Sequence, residues 1–271
     1  FLKHGTIIVG GLVINPLPII ASNFTDFNIE NKFTSKRPDL NQRTFVSKQV
    51  ELVIQNMKSL IQDKELKWMF ENCYPNTLDT TVDYEKIDGK PDTFIITGDI
   101  DAMWLRDSTA QVWPYMPLIT KELKLKNLIL GLINRQVKCV LADPYANAFY
   151  KDLTKKSYWI YDSPIPGPGI HERKWEIDSL CYPVRLAYGY YKQTGDTSVF
   201  DSDWKAAQKL ILDTFTEQQR FNGNGPYTFQ RTTAWATDGV PLSGYGYPVK
   251  PCGLIVSTFR PSDDCTLLPY L

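Results

Sequence analysis

The fold class is indicated first by the stretch from Glu122 to Leu141, which reads E-L-K-L-K-N-L-I-L-G-L-I-N-R-Q-V-K-C-V-L. Apolar residues dominate this stretch, and its length is typical of a helix rather than of a strand. Asp143-Pro144 follows it, and proline cannot extend a helix because it lacks a backbone N–H. The stretch therefore predicts one long helix.

Further helices are predicted on both sides of this stretch. Residues 46–62 have the apolar spacing of an amphipathic helix, with Val46, Val50, Val53, Ile54, Met57, Leu60 and Ile61 on one face. Other helical stretches cover 65–71, about 183–194 and 204–216, and Pro183 is either the first residue of its helix or a kink in it. The capping-box pattern at Ser108–Gln111 predicts a helix start at Ser108. A short β-branched run at 93–97 predicts a strand.

The order of these elements favours an all-α architecture. About six helices are joined by long, polar, glycine-rich connections, and no alternation of strand and helix indicates a parallel sheet. No linker divides the chain and no sequence repeat is visible. Helical hairpins with elaborate loops on one face fit an (α/α)6 barrel, a toroid with short strands in its loops.

Composition excludes several functional classes. The 271 residues carry 30 basic and 30 acidic side chains, so the chain offers no electrostatic footprint for nucleic acid or an anionic membrane. Five cysteines without C-x-x-C spacing argue against a disulfide scaffold and a zinc site. With two histidines in the chain, a histidine-ligated catalytic metal is not expected. We therefore predict no metal and no cofactor.

The N-terminal residues resemble an export signal. Lys3 and His4 precede an apolar run over residues 6–20, and the small residues Ala21 and Ser22 follow it. The run is short and interrupted by prolines, so it does not predict a membrane span; the alternative is a buried strand. We predict a signal peptide over residues 1–22, a catalytic domain over 23–271 and an exported protein, periplasmic or extracellular.

The first stretch with chemical character is T-G-D-I-D-A-M-W-L-R-D-S, residues 97–108. An arginine beside carboxylates can hold sugar hydroxyls while a tryptophan offers a stacking face. The alternatives are a purely local role, with Asp107 favouring a helix N-terminus and Arg106 pairing with an aspartate, and a D-x-D metal motif at Asp99–Asp101. No nucleotide-binding unit accompanies that motif.

The second stretch, residues 171–183, reads H-E-R-K-W-E-I-D-S-L-C-Y-P. Glycoside hydrolysis needs one carboxylic acid to protonate the departing oxygen and one carboxylate to activate water or attack. Glu172, Glu176 and Asp178 are all candidates, and an acid beside Trp175 would be partly desolvated, which raises its pKa. The alternative is that Asp178 or Ser179 caps the following helix.

The third stretch, residues 257–264, reads S-T-F-R-P-S-D-D. Arg260 with Asp263 and Asp264 repeats the pairing of an arginine with carboxylates. The alternative is a surface turn with a solvated ion pair.

Four motifs in order resemble glycoside hydrolase family 125: E-N-C-Y-P-N-T-L-D-T-T-V at 71–82, T-G-D-I-D-A-M-W-L-R-D-S-T-A-Q-V at 97–112, E-I-D-S-L-C-Y-P at 176–183 and F-R-P-S-D-D at 259–264. The resemblance implies an (α/α)6 barrel and an exo-acting α-mannosidase. Such an enzyme removes non-reducing terminal mannose from mannan or N-glycan-type oligosaccharides, prefers α-1,6 linkages, inverts the anomeric configuration and uses no metal. Mannose-containing glycans are the implied partners.

The resemblance also assigns roles to residues. The general acid maps onto Asp178. The terminal-mannose pocket maps onto Asp99, Trp104, Arg106, Asp107, Glu176, Arg260, Asp263 and Asp264. The family's general base is a glutamate beyond Leu271, so this stretch is expected to be an N-terminal portion of the barrel and inactive alone. The alternatives are another (α/α)6 enzyme such as an α-glucosidase, an inactive sugar-binding remnant, or a nucleotide-sugar transferase.

Overall fold

The computed structural model describes residues 33–233 and 238–259, and helices make up most of the regular structure there. The helices are α1 (Lys48–Leu60), α2 (Lys64–Cys73), α3 (Asn76–Thr80), α4 (Leu105–Val112), α5 (Leu123–Ala142), α6 (Ile177–Thr194) and α7 (Ser202–Gln218). Short 3-10 segments occur at Leu40–Gln42 and Trp113–Leu118.

Side-chain caps set where three of these helices begin. The Ser47 hydroxyl accepts a hydrogen bond from the Val50 N–H at 3.2 Å at the start of α1. Asp63 and Asp201 accept equivalent bonds from backbone N–H groups at the starts of α2 and α7. These bonds satisfy donors that have no partner inside a helix. At its other end α6 stops at Gly195, whose φ of 67° is left-handed.

Two small antiparallel sheets interrupt the helices. Strands β1 (Val82–Ile87) and β2 (Lys90–Ile95) form a hairpin in which Val82 pairs with Ile95. Its turn is Asp88-Gly89, both with positive φ, as a two-residue hairpin turn requires. The second sheet joins β3 (Met103–Trp104), β4 (Ala148–Phe149) and β5 (Ile170–Glu172) in that order.

Helix α5 is the centre of the core. It packs against β2, α6 and α7, and eleven of its residues are buried. A Cβ added at Gly131 would collide with Thr93 Oγ1 and lie 3.0 Å from the Asp92 backbone, so α5 lies directly on β2. Thr93 Oγ1 donates to the Leu128 carbonyl at 2.8 Å across the same contact. Burial of this apolar surface is the main stabilising contribution.

The helix-rich class predicted from the sequence is confirmed, and the long helix runs over Leu123–Ala142. Two predicted helix starts are wrong. α4 begins at Leu105 rather than Ser108, because β3 passes directly into the helix at Trp104. α6 begins at Ile177 rather than near Pro183, so Pro183 lies inside the helix, which was the second of its two predicted placements. The N-cap of α6 is Glu176 rather than Asp178 or Ser179. The predicted strand is β2, and its partner β1 was not predicted.

Several predictions concern residues beyond those described. The predicted signal peptide at 1–22 lies there, and so do Arg260, Asp263 and Asp264. Of the helices in residues 33–233 and 238–259, none combines the length and apolar character needed to traverse a lipid bilayer.

Candidate active site

One side of the candidate site is the segment where strand β3 leads directly into helix α4. Trp104 pairs with Ala148 of β4, and the next residue, Leu105, donates its N–H to the Asn147 carbonyl at 3.1 Å. This pairing sets the direction of the chain as α4 begins. Arg106 and Asp107 therefore project from the first turn of α4.

A buried glutamine holds that first turn in place. The Gln136 amide nitrogen, on α5, donates to the Leu105 carbonyl at 3.1 Å and to the hydroxyls of Ser108 and Thr109 at 2.9 Å each. Ser108 is therefore an interior packing residue and not a helix cap. These bonds join the candidate site to the core helix.

The other side is the segment between β5 and α6. Trp175 is buried there, and its indole N–H donates to the Val256 carbonyl at 2.7 Å. Its backbone N–H donates to the Tyr227 hydroxyl at 2.8 Å, and its carbonyl accepts from the Phe259 N–H at 3.1 Å. These bonds tie the segment to two later loops. They fix the position from which Glu176 and Asp178 enter the site.

Arg106 joins the two sides. Its Nη1 atom lies 3.4 Å from Asp178 Oδ2 and 3.7 Å from Glu176 Oε2. Its Nη2 atom lies 3.3 Å from Asp107 Oδ2. The exposed fractions of the side chains are 17% for Arg106, 13% for Asp178 and 0% for Glu176. One guanidinium thus faces three carboxyl groups, and Asp178 is more accessible than Glu176.

Burial controls the protonation of these carboxyl groups. It raises the pKa of Glu176 to about 8, although the nearby Arg106 guanidinium opposes the rise. It also raises the pKa of Asp178, again against the effect of Arg106. Glu176 Oε1 and Asp178 Oδ1 are buried and accept no hydrogen bond from any described residue. The arrangement favours carboxyl groups that keep a proton at a pH where exposed ones have lost it.

Trp104 adds an aromatic face beside this cluster. The ring is nearly buried and meets the His171 ring edge-on, with centroids 5.3 Å apart. His171 Nδ1 lies 2.8 Å from the Tyr150 hydroxyl, and burial lowers the pKa of His171, which favours the neutral imidazole. Trp104, His171 and Tyr150 form a continuous aromatic row. All three side chains are buried, so the row packs in the interior of the described structure.

Asp99 is placed apart from this cluster. It is exposed, in a turn closed by the pairing of Thr97 with Ile100. It is not among the described residues that contact the Arg106 guanidinium. Asp101, two residues on, pairs instead with Lys155 at 2.6 Å. The structure therefore brings Arg106, Asp107, Glu176 and Asp178 together, with Trp104 at the end of β3 two residues before Arg106, and it shows no contact of Asp99 with these carboxyl groups.

Glu172, the third acid considered from the sequence, has a different environment. Its carboxylate accepts from Arg231 Nη1 at 2.8 Å and from the Asn147 amide at 3.0 Å, and Lys174 Nζ lies 3.5 Å away. Burial alone would raise its pKa, but Lys174 and Arg231 together lower it. Glu172 is therefore an ionised structural carboxylate, which does not suit a proton donor.

The sequence did not indicate the basic partner of Glu172. Arg231 donates to both oxygens of Asp162, at 2.8 and 2.6 Å, and lies 3.5 Å above the Trp159 ring. Its side chain is 3% exposed. Arg231 lies far from Glu172 in sequence, so no motif joins them. The one sequence signal for a buried arginine is its position in a loop between aromatic residues.

An apolar cavity of about 600 Å³ lies elsewhere, and its lining includes Ile61, Leu66, Met69, Phe70, Tyr74 and Pro114. None of the predicted site residues within 33–233 and 238–259 lines it, and no carboxyl group is among its described lining residues. In the described part of the chain, no group of three His, Cys, Asp or Glu side chains is arranged to hold a metal ion.

Comparison with known proteins places this chain in a family. The family described as metal-independent alpha-mannosidase (GH125) matches residues 63–271. The Meiotically up-regulated gene 157 protein of Schizosaccharomyces pombe (strain 972) is 39% identical over 254 residues, which cover 87% of this chain and 50% of that protein.

A solved relative gives the same result. The metal-independent alpha mannosidase of Streptococcus pneumoniae, in a non-productive complex with alpha-1,6-mannobiose, is 42% identical with a TM-score of 0.76. The match covers 83% of this chain and 52% of that chain, so this chain spans about half the length of the relatives it matches. On these grounds the chain belongs to the GH125 family of metal-independent α-mannosidases.

Proposed function

We propose that this protein is an exo-acting α-mannosidase that removes non-reducing terminal α-linked mannose from mannan or N-glycan-type oligosaccharides, with α-1,6 linkages preferred. The observation that carries the proposal is the Asp178 carboxyl group. It is partly accessible, lies 3.4 Å from Arg106 Nη1, and has a pKa that burial raises. The α-1,6-mannobiose complex of the solved relative supports the choice of linkage.

Asp178 acts in this proposal as the general acid. It donates its proton to the glycosidic oxygen as the bond to the anomeric carbon breaks, so the leaving sugar departs as a neutral alcohol. The resulting Asp178 carboxylate is stabilised by Arg106, whose guanidinium already contacts it. Arg106 therefore favours the product state of proton transfer, while burial favours the protonated starting state.

The neighbouring residues hold the terminal mannose. Trp104 offers an apolar face, and Arg106 with Asp107 can bind hydroxyl groups in fixed directions. We retain Asp99, Glu176, Arg260, Asp263 and Asp264 as predicted members of the same pocket. We also propose an (α/α)6 barrel, to which the helices of this chain belong, and an inverting reaction. Inversion requires a second carboxylate about 6.5–9.5 Å from the acid, to activate water. In the proposal this is a glutamate outside the residues described.

Release of mannose from α-1,6-mannobiose by the protein, expressed from its full coding frame, tests the function. We expect faster release from the α-1,6 isomer than from the α-1,2 and α-1,3 isomers, and β-mannose as the first product in an NMR time course. If no mannose is released from any of the three isomers, the proposed mannosidase activity is wrong. If α-mannose is the first product, the inverting mechanism is wrong but the mannosidase activity stands.

The role of Asp178 has its own test. Asp178→Asn removes the transferable proton but keeps the shape, so we expect mannose release to fall by about 10²–10⁴-fold or more while sugar binding survives. Asp213→Asn, on the exposed side of α7 with Lys209 as its partner, is the matched control and leaves the rate unchanged. Normal turnover in Asp178→Asn would remove this residue from the acid role.

We further propose export, on the grounds of the basic and apolar pattern of residues 1–22. N-terminal sequencing of the mature protein is expected to begin near Asn23. A mature protein that retains residues 1–22 would contradict this proposal.

A further inference from the structure

A polar groove lies between the β1–β2 hairpin and the connection from β4 to β5. It consists of two cavities of about 480 and 360 Å³, and Asp101 and Lys151 line both of them. The lining of the larger cavity includes Tyr84 and three threonines, and that of the smaller one includes Tyr150 and Lys155. Because the two cavities share lining residues, they form one continuous groove.

The buried aromatic row connects this groove with the candidate site. Trp104, two residues before Arg106, meets the His171 ring with centroids 5.3 Å apart. His171 meets the Tyr150 ring with centroids 5.1 Å apart, and Tyr150 lines the smaller cavity. The groove is therefore two ring contacts away from the strand end that leads to Arg106, where sugars beyond a bound terminal mannose would lie.

The lysines of the groove are paired with carboxylates and remain accessible. Lys155 Nζ donates to Asp101 Oδ2 at 2.6 Å, and these side chains are 42% and 77% exposed. The hydrogen bond to Asp101 raises the pKa of Lys155, which keeps the ammonium group charged. Lys151 Nζ lies 2.6 Å from Asp83 Oδ2 and 3.0 Å from Glu85 Oε1. Since each of these lysines has a carboxylate partner, the described lining of the groove does not favour an anionic ligand.

The groups that line the groove suit a neutral sugar. A sugar hydroxyl both donates and accepts hydrogen bonds, so it can be bound by an ammonium group and a carboxylate together. The hydroxyls of Thr80 and Thr81 already donate to backbone carbonyls four residues earlier, at 2.8 and 2.9 Å, which leaves their oxygens able to accept from a ligand. Tyr84 adds a half-buried ring, and such a ring suits the apolar face of a sugar.

We propose that this groove is a subsite for neutral mannose residues on the reducing-end side of the scissile bond, with Lys155 and Asp101 as specificity-determining residues. The inference rests on the proposed function, since it names where the rest of the same glycan binds. Substrates of three or more sugars reach the groove, whereas the single sugar that departs from mannobiose does not. Contacts to these remote sugars raise kcat/KM for longer glycans only.

Substrate length separates the groove from the candidate site. In Lys155→Met, which loses a charged hydrogen-bond donor, we expect kcat/KM for α-1,6-mannotriose and mannotetraose to fall about tenfold, mainly through a higher KM. The same variant should hydrolyse α-1,6-mannobiose at the wild-type rate. Lys155→Arg keeps a positively charged donor, so we expect a smaller loss. Asp101→Ala removes the acceptor of the pair and should reproduce the length-dependent loss of Lys155→Met.

The matched control is Lys209→Met, which breaks another exposed pair of a lysine with an aspartate, on α7, and should leave all three substrates unaffected. An equal loss for mannobiose and the longer substrates in Lys155→Met would show that this lysine acts through the candidate site, and would overturn the inference. An exposed ion pair contributes little to stability. A large fall in the thermal midpoint of Lys155→Met and Asp101→Ala, but not of Lys209→Met, would therefore show that another part of the protein fills the groove, which also overturns it.

A binding measurement without turnover distinguishes this inference from the proposed function. Calorimetric titration of Asp178→Asn with α-1,6-mannotriose gives a Kd, which we expect to be about tenfold higher when Lys155→Met is added. The Kd for free mannose should not change. If mannotriose binding depends on Lys155 in a protein that releases no mannose, the groove is supported and the mannosidase is wrong. If mannobiose is hydrolysed but mannotriose binds equally with and without Lys155→Met, the groove is wrong and the mannosidase stands.

Discussion

Replacement of Arg231 is expected to be among the most destabilising single changes in the described part of this protein. The guanidinium is 3% exposed and donates to Asp162 at 2.8 and 2.6 Å and to Glu172 at 2.8 Å. It also lies 3.5 Å above the Trp159 ring. Arg231→Met keeps a long apolar side chain but leaves the buried Asp162 carboxylate without its cation and leaves Glu172 with Lys174 alone.

The magnitude follows from that loss. Removing one partner of a buried ion pair costs about 3–5 kcal/mol, because the remaining charge stays desolvated. We expect the free energy of unfolding to fall by about this amount and the thermal midpoint to fall by about 2–4 °C for each kcal/mol. Arg231→Lys keeps the charge but cannot bind Asp162 with two parallel hydrogen bonds. We therefore expect its free energy of unfolding to lie between those of the wild type and Arg231→Met.

Urea unfolding followed by circular dichroism measures these changes. The control is Lys209→Met, which removes an exposed ion pair to Asp213 on α7 and should change the free energy of unfolding by no more than about 0.5 kcal/mol. A loss of less than about 1 kcal/mol in Arg231→Met, at an unchanged m-value, would refute the reasoning that the buried cluster depends on this arginine.

Three other predictions concern the packing of α5, the protonation of Glu176 and the need for a metal ion. Gly131→Ala favours the helix by about 1 kcal/mol but forces a Cβ against Thr93 and the Asp92 backbone. We therefore expect the free energy of unfolding, measured in urea, to fall by about 1–3 kcal/mol. An equal or higher stability would contradict the close packing of α5 on β2. Because burial raises the pKa of Glu176 from 4.5 to about 8, the folded protein binds this proton more tightly than the unfolded chain, and the free energy of unfolding falls as the pH rises through that interval. In Glu176→Gln this decline should flatten, and an unchanged slope would show that another group is responsible. Treatment with a chelator is expected to leave mannose release unchanged, and a clear loss restored by a divalent cation would revive a metal-dependent reaction.

Local sequence determined most of the helices, because their signals act over neighbouring residues. The apolar spacing of residues 46–62 and 122–141 appears as α1 and α5. The hairpin β1–β2 was missed although Asp88-Gly89 is a typical two-residue hairpin turn, because the charged residues that flank the turn hide the strand pattern. The capping-box pattern at Ser108 was misleading, since that serine is buried against Gln136 in the interior of α4.

The sequence also placed the acidic candidates close together, but it could not rank them. Glu172, Glu176 and Asp178 occur within seven residues, in a stretch whose motif resembles a known family. Their chemical differences depend on partners distant in sequence. Lys174 and Arg231 favour the ionised form of Glu172. Arg106 lies between Glu176 and Asp178. Burial and charge depend on which elements pack together, so only the tertiary structure distinguished the ionised Glu172 from the fully buried Glu176 and the more accessible Asp178.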